Sequence, residues 1–315
     1  MLDADARVVI TGAAGLVGQN LATLLGEEGF RNVVAIDKHA ANLATLGRLH
    51  PQVRCVVADL AEAGAWEREF AGAAVVVQLH AQIAGPRERF VRNNVTATRR
   101  VLEAVRAAGV PFLVHASSSV VHSVADDDYT QTKKEQEQLV ADSGIRCCIL
   151  RPTLMFGWFD PKHLGWLARF MERVPVFPIP GHGRYVRQPL YNRDFCRVVL
   201  AVMRSQPVGA VYDLTGPDRV DYIDMIRTIR DVKGLHTPIV RIPYGLFATL
   251  LRVYALFSHS PPFTAAQLKA LVAGDDFRGV DMQAVFGVAP MPFRRAVEET
   301  FGHPVYSRIA LESPH

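Results

Sequence analysis

The sequence predicts an α/β fold: a Rossmann-type doubly wound parallel sheet followed by a smaller, mainly helical C-terminal lobe. Three observations carry the prediction. Strand-like and helix-like patterns alternate from residue 7 to residue 150, which calls for right-handed crossovers between parallel strands. The first strand runs directly into a glycine-rich turn and a helix. Beyond Arg151 the alternation breaks, and prolines become frequent (Pro152, Pro161, Pro175, Pro178, Pro180, Pro189). With 315 residues, 49% of them apolar, the chain can bury a large core and carry an appended lobe. The expected division is residues 1–150 and 151–315, with segments around 151–160 and 190–215 returning to the first domain.

Taken in order, Arg7, Val8, Val9 and Ile10 form an apolar β-rich run. Leu16, Val17, Leu21, Leu24 and Leu25 then recur at helical spacing, and Gly29 stands where a left-handed closing residue belongs. Residues 33–36 are a second strand ending in Asp37. A polar helical stretch reaches Leu49, and residues 53–58 are a third strand ending in Asp59 and Leu60. Residues 61–71 read as a helix. The run 73–80 is almost continuously apolar, as a parallel strand buried on both faces should be. A long helix is expected over 90–108, a strand over 112–117, a helix over 129–143 and a strand over 146–150. In the second half, 174–183 reads as an irregular loop, 195–203 as a helix and 211–214 as a strand. Further helices are expected over 222–232, 246–257, 265–273 and 294–301.

The stretch from Arg7 to Asp37 carries the first piece of chemistry. Gly12, Gly15 and Gly18 are spaced G-x-x-G-x-x-G between a strand and a helix start. A turn without side chains at a helix N-terminus offers backbone N–H groups and a positive dipole end to a pyrophosphate. Asp37, at the tip of the second strand, is placed to accept from both ribose hydroxyls of a dinucleotide. Its charge would repel a 2′-phosphate, which favours NAD over NADP, although Lys38 and His39 follow directly. Asp59 is placed either to meet the adenine amino group or to cap a helix.

The second piece is Tyr129 and Lys133, at i and i+4 on one helix face. A free phenol titrates near ~10, and a lysine ammonium within reach would pull that value toward neutrality. Just upstream a strand ends in Ser117, Ser118 and Ser119, at the carboxyl edge where ligands bind in open α/β sheets. A serine hydroxyl there can hold a substrate oxygen against the tyrosine while hydride moves.

Together these residues resemble an extended short-chain dehydrogenase/reductase of the NAD-dependent epimerase/dehydratase group. Other runs share in the resemblance: Gln78 to Ala81, Asn94 to Thr98, Ser117 to Val121, Arg151-Pro152 leading to Gly157, and Arg187 with Asp194. The resemblance implies Ser118, Tyr129 and Lys133 as catalytic residues, with Lys133 on the nicotinamide-ribose hydroxyls and Pro152 bordering the nicotinamide. The implied cofactor shell is Gly12, Ala14, Gly15, Leu16, Val17, Asp37, Lys38, Asp59, Leu60, Leu79, His80, Ala81, Tyr129, Lys133 and Pro152. Ser118, Ser119 and Arg187 are the substrate-side candidates. Arg187 suits a nucleotide diphosphate, or equally an acidic neighbour at the surface.

The implied activity is hydride transfer at a secondary alcohol or ketone, foremost C4 of a nucleotide-linked sugar. Three departures qualify it. The segment between Ser118 and Tyr129 is short and carries Asp126, Asp127 and Asp128. Leu154 stands where many nucleotide-sugar epimerases have an asparagine. Ser119-Val120 replaces the acid pair of the 4,6-dehydratases, which argues against elimination of water. A steroid or other lipophilic-alcohol dehydrogenase is an alternative. So is a non-catalytic dinucleotide-binding accessory protein resembling the dehydrogenase-like subunits of complex I.

The net charge of +4, without a Lys/Arg run, gives no footprint for nucleic acid. Four cysteines without C-x-x-C spacing read as reduced core thiols, which fits a cytoplasmic location. No metal site, secretory signal or integral membrane segment is expected; the apolar run 244–257 is broken by Arg252 and reads as a buried or interface helix rather than a membrane-surface one. The resemblance implies a homodimer through the helices 90–108 and 129–143, with Val91, Val95 and Leu102 supplying apolar surface.

Overall fold

The computed structural model describes residues 2–123, 127–257, 268, 271–272, 274 and 277–312. Six strands of the first half are β1 (Val8–Thr11), β2 (Val33–Asp37), β3 (Arg54–Val57), β4 (Val75–Gln78), β5 (Leu113–Ala116) and β6 (Cys147–Pro152). With Val211–Leu214 they make one seven-stranded sheet. Its order in space is Val211–Leu214, β6, β5, β4, β1, β2, β3, and every neighbouring pair is parallel. Strand order reverses beside β1, so the chain leaves β1 and β4 in opposite directions and opens a crevice at their carboxyl ends.

Each strand feeds both faces because side chains alternate. Val8 and Ile10 enter one core with Leu21, Leu25, Phe195 and Val199; Val9 enters the other with Ile36, Val76, Val101 and Val105. Each is fully buried, and burial of such a side chain contributes roughly 1.5–3 kcal/mol. The first face is covered by α1 (Leu16–Glu27) and by the helix Asn192–Ser205, which pack against each other. Gly29, at φ +81, closes α1, and the Phe30 N–H donates back to the Leu25 carbonyl at 2.9 Å. The helix α2 (Ala40–Leu49) completes this side.

The other face carries a long helix in three parts. It begins as α3 (Arg87–Phe90), passes through a π-helical turn over Val91–Thr96 and continues as α4 (Ala97–Ala107). The wide turn, a form that tends to occur at functional sites, carries Asn94. Asn94 accepts from the Gln82 N–H (2.6 Å) and donates to Thr132 Oγ1 (3.0 Å), tying the loop after β4 to α5 (Asp128–Ala141).

The second lobe has its own core, built from Phe156, Leu164, Met171, Phe177, Ile179, Tyr222, Ile226 and Phe293. The expected irregular loop over 174–183 contains the strand Phe177–Pro180, paired in parallel with Ile239–Ile242. Prolines hide this strand from a propensity reading, yet an edge strand tolerates them. The expected helix over 61–71 is a short 3₁₀ segment, Ala65–Phe70, that inserts Trp66 and Phe70 into the core. The helices expected over 222–232 and 294–301 are found as Tyr222–Val232 and Phe293–Gly302, whereas most of 265–273 lies outside the described residues. Cys55 is exposed, unlike Cys147, Cys148 and Cys196, because β3 is the sheet's edge strand. Val95 and Leu102 are buried in the protein's own interior, so of the three residues expected at a dimer contact only Val91 is exposed.

Candidate active site

The turn after β1 is shaped for close backbone approach. Gly12 has φ +74, and a Cβ there would lie 2.4 Å from the His80 nitrogen. A Cβ on Gly18 would lie 2.4 Å from Ala13. Gly15, by contrast, faces open space apart from the Gly12 carbonyl, and no side chain caps α1. The first N–H groups of α1, beginning at Leu16 and Val17, therefore have no side-chain partner and line a cradle beside Ala14. Asp37 frames it, accepting from the Ala14 N–H at 3.0 Å and the His39 N–H at 2.9 Å. A carboxylate has about four acceptor directions, so two remain for ribose hydroxyls. The donors and the acid present fit the pyrophosphate and ribose of NAD.

The neighbouring shell residues are occupied in other ways. Lys38 donates to Asn93 Oδ1 at 2.8 Å. Asp59 accepts from the Ala61 N–H at 2.9 Å and from Arg92 at 3.1 Å, the turn-capping alternative, with Leu60 buried behind it. Leu79 and Ala81 flank His80 at the end of β4, while Pro152 closes β6.

At the end of β5, Ser118 caps a 3₁₀ turn over Ser119–His122, accepting from the Val120 N–H at 3.3 Å. The Ser118 side chain also lies close enough to Tyr129 to influence its ionisation. Asp127 starts α5 by accepting from the Thr130 N–H at 2.8 Å, which sets Tyr129 and Lys133 on the inward face. Asp128 pairs with Arg87, and Asp126 lies outside the described residues. Ser119 faces elsewhere. It lines a separate polar cavity of about 230 Å³ with His122, Arg151, Thr153 and Asp213.

Lys133 is only 1% exposed and donates to the Ala116 carbonyl (3.1 Å) and Gln136 Oε1 (2.6 Å). Burial lowers its pKa to about 7, opposed by the nearby charge of Glu137. The phenol of Tyr129 moves the other way from the expected lowering. Burial raises its pKa, the neighbouring Ser118 opposes the rise, and Asp127 adds to it. The lysine does not supply the anticipated stabilisation of the phenolate, because its ammonium is committed to Ala116 and Gln136.

Behind this pair lies a buried polar chain in which Gln136, which motif reading missed, joins Gln78, His80 and Thr98 of the two recognised runs. Thr98 Oγ1 accepts from Gln136 Nε2 (2.9 Å) and Gln78 Nε2 (2.8 Å), which leaves its own proton for His80 Nε2 at 3.2 Å. The His80 ring proton then sits on Nδ1 and is donated to Thr11 Oγ1 at 3.0 Å. That arrangement suits a neutral ring, and burial lowers the His80 pKa to about 3. His80 therefore holds the interior with its side chain and meets Gly12 with its backbone. Gln136 also donates to the His80 carbonyl, which connects the glycine turn to α5. The signal for Gln136 was present as a polar residue at i+3 from Lys133. On the other side Glu137 accepts from Ser117 and pairs with Arg151, fixing α5 to β5 and β6.

Arg187 does not stand free for a substrate. It is 8% exposed and donates to the Leu271 carbonyl at 2.6 Å. Asp194, seven residues further along the chain, accepts from the Met291 N–H (2.7 Å) and pairs with Arg197 (2.8 Å). Leu154 packs against the second lobe's core.

Comparison with known proteins identifies the family. The ceramide reductase of Caulobacter vibrioides is 28% identical over 249 residues, covering 76% of this chain and 75% of that protein. The 4-hydroxy-2-methyl-3-oxo-4-farnesyl-3,4-dihydroquinoline-1-oxide ketoreductase of Stigmatella aurantiaca is 25% identical over 263 residues, covering 76% of each. Among solved structures, the UDP-glucuronic acid 4-epimerase of Bacillus cereus in complex with NAD superposes with a TM-score of 0.72 at 19% identity, covering 94% of this chain and 98% of that one. The family model described as the NAD dependent epimerase/dehydratase family matches residues 8–214. The chain belongs to that family, and NAD is its cofactor.

Proposed function

We propose that the protein is an NAD(H)-dependent oxidoreductase acting on a secondary alcohol or ketone, with Ser118, Tyr129 and Lys133 as its reacting side chains. The observation that carries this is the placing of Ser118 and Tyr129 together at the sheet's carboxyl edge, close enough for the serine to act on the phenol's ionisation, with the buried Lys133 one turn further along α5. NAD, when bound over the glycine turn, takes up or returns the hydride. Ser118 holds the substrate oxygen, and Tyr129 moves the proton at that oxygen. A phenol whose pKa is raised stays protonated at neutral pH, so Tyr129 is poised to donate, as reduction of a ketone requires. Lys133 orients the ribose side of the site and places positive charge within a turn of the phenol.

For the substrate, this chain's own side chains favour a lipophilic ketone or alcohol. Arg187 is buried on a backbone carbonyl rather than free for a diphosphate, and Leu154 offers no amide to a sugar nucleotide. The two curated relatives named above are a ceramide reductase and a farnesyl-quinoline ketoreductase, both named for the reduction of a lipid-tailed compound. The second reading is C4 of a nucleotide-linked sugar, as in the nucleotide-sugar epimerase of similar fold.

The test is NADH oxidation with a long-chain ketone, run beside UDP-glucose. Tyr129→Phe should lower the rate by roughly a hundredfold or more and leave NAD affinity within a few-fold. An undiminished rate in that variant sinks the catalytic assignment. A melting shift with UDP-glucose and none with the ketone moves the substrate to the sugar reading.

A further inference from the structure

The helix Tyr244–Phe257 is apolar almost throughout, yet none of its side chains described here, residues 244–253, is fully buried. Leu246 is 54% exposed, Leu250 51% and Val253 46%. At i, i+4 and i+7 these three form one stripe along the helix. The opposite side, Phe247, Ala248 and Leu251, is half-buried. An amphipathic surface helix normally turns polar residues outward, so an outward leucine stripe marks a face made for a partner.

The charge around the stripe identifies that partner. From Val232 to Gly274 the chain contains Lys233, Arg241, Arg252 and Lys269 and no aspartate or glutamate. The chain's 31 acidic residues in 315 would place about four in a stretch of that length. Lys233 is paired with Glu172 of the neighbouring helix Leu164–Met171's C-terminal end. Arg241 and Arg252 are exposed and have no ion-pair partner among the described residues. A helix of 14 residues is about 21 Å long, and no described helix is long and apolar enough to cross a membrane.

We propose that this face docks on the surface of an anionic lipid bilayer, with Leu246, Leu250 and Val253 in the acyl boundary and Arg241 and Arg252 at the headgroups. Apolar burial and basic attraction together are what hold an interfacial helix on such a surface. Neither element depends on the substrate being lipophilic. A second copy of the chain would present the same two arginines to themselves, which disfavours a self-paired face.

The experiment is co-sedimentation of the full chain with vesicles of phosphatidylcholine alone and of phosphatidylcholine mixed with phosphatidylglycerol. The protein should sediment with the mixed vesicles and be released by added salt. Leu246→Asp with Leu250→Asp should weaken partitioning by about tenfold or more, while NAD binding and the melting curve stay unchanged. Arg241→Glu with Arg252→Glu should abolish the preference for the anionic vesicles. Failure to sediment with the mixed vesicles overturns the proposal. So does equal partitioning of the leucine variant, or a dimer in light scattering that this variant breaks.

Discussion

Replacing Lys133 by methionine tests the physical account of the site most directly. The ordinary lysine value of 10.5 is lowered to about 7 by burial. In the folded protein the charged form is therefore disfavoured by roughly 5 kcal/mol relative to the unfolded chain. Below about pH 7 both states carry the proton and this penalty is fully present. Between about 7 and 10.5 the unfolded chain binds the proton and the folded one does not, so stability rises with pH; above that window neither is charged. By about pH 9 the wild type should have gained roughly 3 kcal/mol from this group. Lys133→Met lacks that gain. At neutral pH its relief from the penalty is offset by the Ala116 carbonyl and Gln136 Oε1 losing a donor, about 1–3 kcal/mol each, so the net change there is small. The assay is urea denaturation of the NAD-free protein across this range, with the difference between the two proteins plotted against pH. Other titrating groups cancel in that difference. Parallel curves for wild type and variant would refute the buried, depressed lysine.

Gly12→Ala should destabilise by more than about 2 kcal/mol, because positive φ combines with a Cβ 2.4 Å from His80; Gly72→Ala, at φ +70 in open space, should cost only about 1 kcal/mol. Thermal melts of the pair separate conformation from collision. NAD(H) should bind about tenfold better than NADP(H), a difference of about 1.4 kcal/mol. Asp37→Ala should narrow that gap in a titration and also weaken NAD itself, since the same carboxylate holds the Ala14 N–H. In native protein a thiol reagent should label Cys55 first, with Cys147, Cys148 and Cys196 reacting only on unfolding; mass spectrometry of the labelled peptides reads this directly.

The alternating fold was legible because its signals are local. A valine run, a glycine turn and a helical repeat each fit within a dozen residues, and Val8, Val9 and Ile10 do enter the two cores by strict alternation. The strand Phe177–Pro180 was not legible, because its partner Ile239–Ile242 lies some sixty residues away and nothing in its own composition favours pairing. The location of Ser118, Tyr129 and Lys133 could be read from spacing, since i and i+4 on one helix fixes a shared face. Their electrostatics could not. Whether a lysine ammonium faces a phenol or a carbonyl depends on Gln136 and Ala116, one a turn away and the other on β5.

That distinction bears on which direction of chemistry the interior prefers. Gln136, Thr98, Gln78 and His80 form a chain of neutral groups that hands hydrogen bonds from Lys133 to Thr11 without a fixed negative charge on the way. The nearest acid, Glu137, is already bound to Arg151 and Ser117. With no carboxylate bonded to its ammonium among the described residues, burial brings the lysine's pKa down to about 7, while the desolvated phenol keeps its own proton. Such a site enters the reaction with a protonated tyrosine beside Ser118, the state that gives a proton to a carbonyl oxygen. Oxidation of an alcohol would first require the phenol to lose that proton against its burial. On the proposed assignment, the burial that makes Lys133 hard to charge and keeps the Tyr129 proton in place would bias the site toward reduction at neutral pH and allow oxidation more readily as pH rises.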